Sequence, residues 1–290
     1  MNGWAVAVGR RAEPVAVAVL EAFAARGIDA VPVRAAHRAG LVDGVRSTAM
    51  AGRSTFVVGG DGTINAVVEG LIGLGGDPPA VGILPAGTGS DFARMFALPS
   101  DPGAAVDLAV DGSDYPVDVG IVEGSWGERV VVNEAQAGLG GATAAFADRL
   151  PVSWGARKYE IAFWAALPSF RPGRATLHTV KGALDLDRGV VVVAANGEFF
   201  GGGMRVAPKA SVLDGAFDLI IIDTHRLRAV SLFPRMKRGL HLTDRAVRRI
   251  VTPWFKLETE RPWPVEVDGD HLGRTPMAGR VESGAFHLRL

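Results

Sequence analysis

The chain of 290 residues has no cysteine, so a disulfide framework and thiolate chemistry are both excluded. It has no charge excess of either sign, with 31 Lys and Arg against 31 Asp and Glu, which removes any overall pull toward nucleic acid. No uncharged apolar run reaches the roughly 18–20 residues that a bilayer-spanning helix needs. The uncharged stretch Pro78–Ser90 is broken by prolines and glycines. Met1–Arg11 carries one short apolar run with no basic region before it, which is not a signal-peptide pattern. The expectation is a soluble, cytoplasmic protein long enough for two domains.

What the chain does have is glycine at two strand ends. Thr55-Phe56-Val57-Val58 is a β-type apolar run that enters Gly59-Gly60-Asp61-Gly62-Thr63-Ile64-Asn65. Ile64, Val67, Val68 and Leu71 then recur at helical spacing. Glycines between a strand's end and a helix's start sit where peptide N–H groups lack intrahelical partners and the helix dipole favours an anion. A tight βα turn with a good cap is the plainer reading of the same residues. A second unit repeats the pattern: Ala80-Val81-Gly82-Ile83-Leu84 runs into Pro85-Ala86-Gly87-Thr88-Gly89-Ser90-Asp91. Ser90 or Asp91 is placed to cap the short helix that follows. If the strands are parallel, both turns lie at one sheet edge, where open α/β sheets bind ligands. Neither turn has the Gly-x-x-x-x-Gly-Lys-Ser/Thr spacing of a P-loop, nor the Gly-x-Gly-x-x-Gly dinucleotide fingerprint.

The first third alternates strand and helix: strands at Trp4–Val8, Ile28–Val33, Thr55–Val58 and from Ala80, with helices at Pro14–Ala25, Leu41–Met50, after Thr63 and at Asp101–Val110. This predicts a parallel sheet with helices on both faces. After Tyr115 valine-rich runs recur at 117–122, 129–132, 175–180, 190–195 and 217–222, separated by glycine turns, with few helical stretches. That predicts a second, mainly antiparallel β domain. The division is drawn as 1–116, joined by 281–290 if the last strand returns, and 117–280.

The whole pattern resembles the diacylglycerol kinase catalytic-domain family, which includes soluble bacterial diacylglycerol kinases and is related to sphingosine and ceramide kinases. Gly59–Thr63 matches its Gly-Gly-Asp-Gly-Thr element, and Pro85–Arg94 its second loop, with Ser90 in place of the usual Asn. Val117–Gly120 with Asn133-Glu134, then Asn196, Gly201–Met204, Pro208 and Leu213–Asp218 resemble its domain junction and second domain. Asp268-Gly269-Asp270 falls where the family has Asp-Gly-Glu. The resemblance implies an α/β N-terminal domain like those of NAD kinases and phosphofructokinases, followed by a β-sandwich.

It further implies an ATP- and Mg²⁺-dependent kinase acting on a lipid hydroxyl, diacylglycerol first, with a cleft between the domains. A different lipid, a soluble acceptor such as NAD, or a non-catalytic relative are the rival readings. Gly59, Gly60, Asp61, Gly62, Thr63, Asn65, Gly87 and Thr88 are the expected nucleotide-binding residues. Asp61 is the expected link to catalytic Mg²⁺, against the alternative of an Asx turn. Asp270 is the expected general base with Asp268 as neighbour, mutual repulsion raising one of the two; the alternative is a plain Asp-Gly hairpin turn. Asp214, with the carbonyls of Ser211 and Ala216, is the expected second metal site, or again an Asp-Gly turn. Basic and apolar residues interleave at Trp154, Arg157, Lys158, Trp164, Phe170 and Arg171. They interleave again along Arg226–Arg249, with Leu232, Phe233 and Leu240. Such stretches suit transient contact with the inner membrane face, or are solvated helix faces. No nucleic-acid partner is expected. A homodimer stays open.

Overall fold

The computed structural model describes residues 3–77, 79–87, 89–151, 154 and 157–290. Thr88 and the side chain of Arg157 lie outside the described residues. In chain order the elements are β1 (Trp4–Val8), α1 (Glu13–Ala25), β2 (Ala30–Val33), α2 (Arg38–Met50), β3 (Ser54–Gly59), α3 (Asp61–Leu71), β4 (Ala80–Pro85), α4 (Asp91–Phe96), α5 (Pro102–Asp111) and β5 (Asp114–Gly124). They continue with β6 (Gly127–Val131), β7 (Glu134–Gly138), α6 (Leu139–Ala147), α7 (Arg157–Ala166), β8 (Gly173–Thr179), β9 (Gly182–Ala195) and β10 (Phe217–Asp223). The last are α8 (Arg226–Met236), β11 (Val247–Thr252), β12 (Trp254–Thr259), β13 (Pro264–Val267), β14 (Asp270–Arg274) and β15 (Met277–Arg289). The chain divides into residues 1–118 with 283–290, and residues 119–282.

In the first unit the strands run β2-β1-β3-β4-β15, every pair parallel. Strands buried on both faces read as continuous apolar runs, and β1 is buried at all five positions. The register sets Val8 beside Val58 and Val58 beside Leu84, so the carboxyl ends of β1, β3 and β4 lie level. The chain moves from β1 outward to β2 and then back past β1 to β3, which puts the topological switch point between β1 and β3. α1 begins with Pro14 in its first turn and buries Ala16, Val19 and Phe23, one face at helical spacing. Phe23 meets Phe56 of β3 edge-to-face at 5.4 Å and Trp4 of β1 at 5.5 Å. Asp101 caps α5, its Oδ1 accepting the Ala104 N–H at 2.9 Å.

In the second unit the strands run β14-β13-β7-β9-β8-β12-β15, with β10 and β11 extending from β9, and each of these pairs is antiparallel. β9 is the spine: its first half pairs with β8, and its second half lies between β7 and β10. Its core includes Leu177, Leu186, Val192, Phe217, Leu219 and Phe255, with Phe217 and Phe255 edge-to-face at 5.5 Å. The expected fold class is what the structure shows, with one addition. Three helices, α6, α7 and α8, stand among the strands where sequence texture suggested few.

Candidate active-site elements

In the first unit the two glycine turns touch. Gly60 is the N-cap residue of α3, and a Cβ placed on it would sit 2.9 Å from the Cα of Gly87. A Cβ on Gly87 would press still closer on the Gly60 backbone. Only glycine at both positions permits this approach. Thr63, in the first turn of α3, points its hydroxyl back under the strand ends: its Oγ1 would lie 2.5 Å from a Cβ at Gly59 and 2.7 Å from one at Gly9. Gly9, just past β1, donates its N–H to Val58 at 2.8 Å. It is a member of this elbow that sequence reasoning missed, because a lone glycine after a strand carries no distinguishing signal.

Asp61 reaches across to the second glycine turn. Its Oδ1 accepts the Phe92 N–H at 2.9 Å and its Oδ2 the Asp91 N–H at 3.1 Å. These are the first amides of α4, so Asp61 supplies the cap expected of Ser90 or Asp91. Ser90 instead adopts a left-handed φ of 51° and donates its hydroxyl to the Gly87 carbonyl at 3.2 Å. Asn65, an expected nucleotide-binding residue, lies in the second turn of α3. It is buried, and its Oδ1 accepts from Arg38, which also pairs with Glu69, fastening α2 to α3.

In the second unit Asp268 and Gly269 form the two-residue loop between β13 and β14, with φ of 46° and 94° and Val267 paired to Asp270. This is the type I′ hairpin geometry that Asp-Gly favours. Asp268 is tied to the segment that enters β7. Its carboxylate accepts three backbone N–H groups, from Val132 at 2.7 Å, Asn133 at 2.8 Å and Glu134 at 2.9 Å. Asp270 is exposed at the start of β14. The raised carboxyl of the turn is one that sequence reasoning missed. Glu266 is buried, and burial pushes it up from the ordinary 4.5 to about 7. It accepts from Gln136 Nε2 at 2.5 Å and from the Gly269 N–H, and bonds the buried carboxyl of Glu134. The Tyr159 hydroxyl lies over the turn, 3.3 Å from a Cβ placed on Gly269. Burial, reinforced by Glu266, Asp148, Asp270 and Glu134, pushes Tyr159 up to about 12, so it remains a protonated donor.

The Ser211–Ala216 segment is a turn, buried at Val212 and exposed or half-buried elsewhere, in which Asp214 Oδ1 accepts the Ala216 N–H at 3.2 Å and Ser211 Oγ the Leu213 N–H at 3.3 Å. Its donors, one carboxylate and main-chain carbonyls, are the hard oxygens that Mg²⁺ takes together with water. Among the described residues no group of three or more His, Cys, Asp and Glu side chains is arranged to hold a metal, so any such site depends on carbonyls and water.

A parallel α/β unit with a glycine elbow at its switch point is thus followed by an antiparallel unit with an acidic hairpin. Residues 7–122 match the diacylglycerol kinase catalytic domain, and residues 133–289 the YegS C-terminal NAD kinase beta sandwich-like domain. The chain is 30% identical over 244 residues to the "Probable lipid kinase YegS-like" of Cronobacter sakazakii, covering 82% of this chain and 78% of that one. It is 30% identical over 224 residues to the diacylglycerol kinase of Bacillus subtilis, covering 76% and 72%. A crystal structure of a diacylglycerol kinase from Bacillus anthracis str. Sterne superposes with a TM-score of 0.72 at 18% identity, covering 99% and 96%; this likeness is one of fold. The chain belongs to the diacylglycerol kinase catalytic-domain family of lipid kinases.

Proposed function

We propose that this lipid kinase transfers the γ-phosphate of ATP to a hydroxyl of a membrane lipid, with diacylglycerol as the first candidate and phosphatidic acid as its product. The observation that supports this most is the Gly60–Gly87 contact. Neither glycine carries a side chain at the start of α3, so that main-chain amides of residues 60–62 can approach a phosphate. Thr63 seats the elbow and Gly87 would close the second side; Thr88 would add a hydroxyl ligand. Asp61 would act by bracing α4 and by offering negative charge toward a nucleotide-bound Mg²⁺. Mg²⁺, when bound, would neutralise charge on the phosphates.

Asp270 would take the acceptor proton. It is exposed and held at a rigid hairpin whose other carboxylate is fully engaged by amides. Tyr159, protonated over the same turn, would orient the acceptor oxygen. The Asp214 turn, with the Ser211 and Ala216 carbonyls, would hold a structural Mg²⁺. A transient contact with the inner membrane face would use the exposed Trp164 and Leu227 on α7 and α8, with the basic residues around them. Among the described residues no helix is long and apolar enough to cross a membrane.

The test is transfer from γ-labelled ATP to vesicles carrying diacylglycerol, a sphingoid base, ceramide or phosphatidylglycerol, beside NAD and fructose 6-phosphate in solution. Labelled phosphatidic acid, reduced by about 10²–10⁴ in Asp270→Asn, is the expected result. Labelling of NAD alone, or equal transfer by the variant, overturns the reading.

A further inference from the structure

The second unit contains a cavity of about 790 Å³ that the kinase reading does not use. Its size is that of a small-molecule site. It opens between the end of α6, the segment entering β8, and the 260–264 stretch before β13. Five arginines line it: Arg149, Arg171, Arg174, Arg261 and Arg274. Only two acids, Asp187 and Glu260, face the same space. Among the described residues none of the five arginines is in an ion pair. Elsewhere in the chain arginines commonly find carboxylates, as Arg228 and Arg235 do with Asp244. An uncompensated surplus of guanidinium groups around one concavity favours an anion, and the planar fork suits phosphate oxygens.

The floor is built rather than incidental. Trp263 is 3% exposed and meets Phe170 edge-to-face at 6.2 Å. Its backbone is pinned on both sides by Thr275, whose N–H donates to the Trp263 carbonyl at 2.9 Å while its Oγ1 accepts the Trp263 N–H at 2.9 Å. Gly189 lies where any side chain would overlap the indole. Two of the arginines are held against the walls: Arg274 donates to the Pro262 carbonyl at 2.9 Å, and the Arg149 guanidinium lies 5.8 Å from the Phe146 ring centre. The site therefore offers cations at its rim and aromatic carbon beneath, the complement of an anionic headgroup continuing into an apolar chain. It is separate from the acidic turn. Pro264 and Arg274 pair at the open end of the β13–β14 hairpin, whereas Asp268 and Gly269 close the other end, roughly four residues or about 13 Å along the strand.

We propose that this cavity binds the phosphate headgroup of an anionic phospholipid, as an anchoring site distinct from the site of phosphoryl transfer. Free inorganic phosphate shares the recognised chemistry, and the aromatic floor favours the lipid. The test uses the full chain without ATP, so that its failure leaves the kinase reading untouched. Binding is measured by co-sedimentation with vesicles of phosphatidylcholine alone and of phosphatidylcholine with phosphatidylglycerol carrying brominated acyl chains, and tryptophan quenching is read in parallel.

The wild-type chain is expected to bind the mixed vesicles, with a quenching component that Trp263→Phe removes. The combined Arg149→Ala, Arg171→Ala, Arg174→Ala variant is expected to lose about tenfold or more of that binding with an unchanged melting temperature. Arg274 is left in place because of its bond to Pro262. A control variant, Lys181→Ala, Lys209→Ala, Lys256→Ala, removes equal charge from this unit outside the cavity and is expected to bind nearly as the wild type does. Equal losses in the two triple variants, or wild-type binding by the first, would overturn the proposal. So would competition by millimolar inorganic phosphate as effective as that of the lipid.

Discussion

The carboxylate of Asp61, in the first turn of α3, accepts the backbone N–H of Phe92, in the first turn of α4, at 2.9 Å. The adjacent Asp91 amide reaches the other oxygen at 3.1 Å. One side chain thus caps a helix that begins some thirty residues further on and holds the two glycine turns in register. Asp61→Asn keeps one acceptor and turns an NH₂ group toward the second amide. Hydrogen bonds to charged groups contribute roughly 1.5–3 kcal/mol, so a loss of about 2 kcal/mol from the first unit is expected, together with weakened nucleotide binding. Urea denaturation followed by a probe in the first unit reads this directly. An unchanged midpoint would mean that the α3–α4 brace carries no stability.

The Gly60–Gly87 approach makes a sharper prediction. Gly87→Ala puts a methyl group onto the Gly60 backbone, where no rotamer can move it aside. Overpacking of this kind costs about 1–3 kcal/mol. Because the displaced atoms are those of the elbow, ATP affinity should fall by more than the stability loss alone would suggest. Gly62→Ala, with open space at its Cβ, is the matched control for stability alone and should melt as the wild type does. Isothermal titration of Gly87→Ala with a non-hydrolysable ATP analogue reads the affinity loss against the wild type; an unchanged affinity would show that the contact does not shape the site.

The two carboxylates of the Asp268-Gly269-Asp270 turn should part company under mutation. Asp268→Ala leaves three backbone amides without their acceptor. At about 1–3 kcal/mol for each buried group left unsatisfied, the second unit should be severely destabilised. Asp270→Asn changes an exposed side chain and should move stability by less than about 0.5 kcal/mol while slowing phosphoryl transfer by about 10²–10⁴. Thermal melts beside activity assays check both. An active, stable Asp268→Ala protein would contradict the hydrogen-bond reading, and a destabilised Asp270→Asn would deny it a purely chemical role.

The fold was legible where a single physical signal dominated. The buried parallel strands show as uninterrupted apolar runs, and strand–helix alternation in the first third gives the parallel sheet. The glycine elbow was visible because three glycines, a carboxylate and a hydroxyl cluster within five residues. α6 was not visible, since Leu139-Gly-Gly-Ala-Thr-Ala-Ala reads as a loop. The structure shows why glycine is there: a side chain at Gly141 would collide with the Pro264 carbonyl of β13. The glycines serve close packing, and the helix survives their poor propensity through tertiary contact. Asn65 shows what the sequence leaves out. Its position beside the elbow suggests a ligand contact, and at the second turn of α3 its Oδ1 also meets Arg38 of α2; no local pattern encodes which neighbour a helix will meet. Glu134 and Glu266 were passed over for the same reason, because their pairing depends on β7 lying beside β13.

That pairing gives the last prediction. Glu266 and Glu134 are both buried, at 2% and 3% exposure, and bonded to each other, and two such carboxyls cannot both be ionised cheaply. The groups facing Glu266 are Glu134 and Gln136 from β7 and the Gly269 amide, with the Asp268 carboxylate close enough to raise it further. The Tyr159 hydroxyl over the same turn is raised by both glutamates and by Asp148 and Asp270. In the folded chain Glu266 titrates near 7, against an ordinary 4.5. Between those values the folded state keeps a proton that the unfolded chain has released. Stability therefore falls as pH rises through the window, and is recovered as pH drops toward the unfolded value. Glu266→Gln supplies a permanent amide where the shared proton was, and its oxygen can still accept the Gly269 N–H. The variant should melt higher than the wild type above about pH 7.5, and its melting temperature should vary less between about pH 5 and 8. Calorimetric melts across that range check it. A variant that keeps the wild-type slope would locate the titration in another group and would remove the shared proton from beneath the acidic turn.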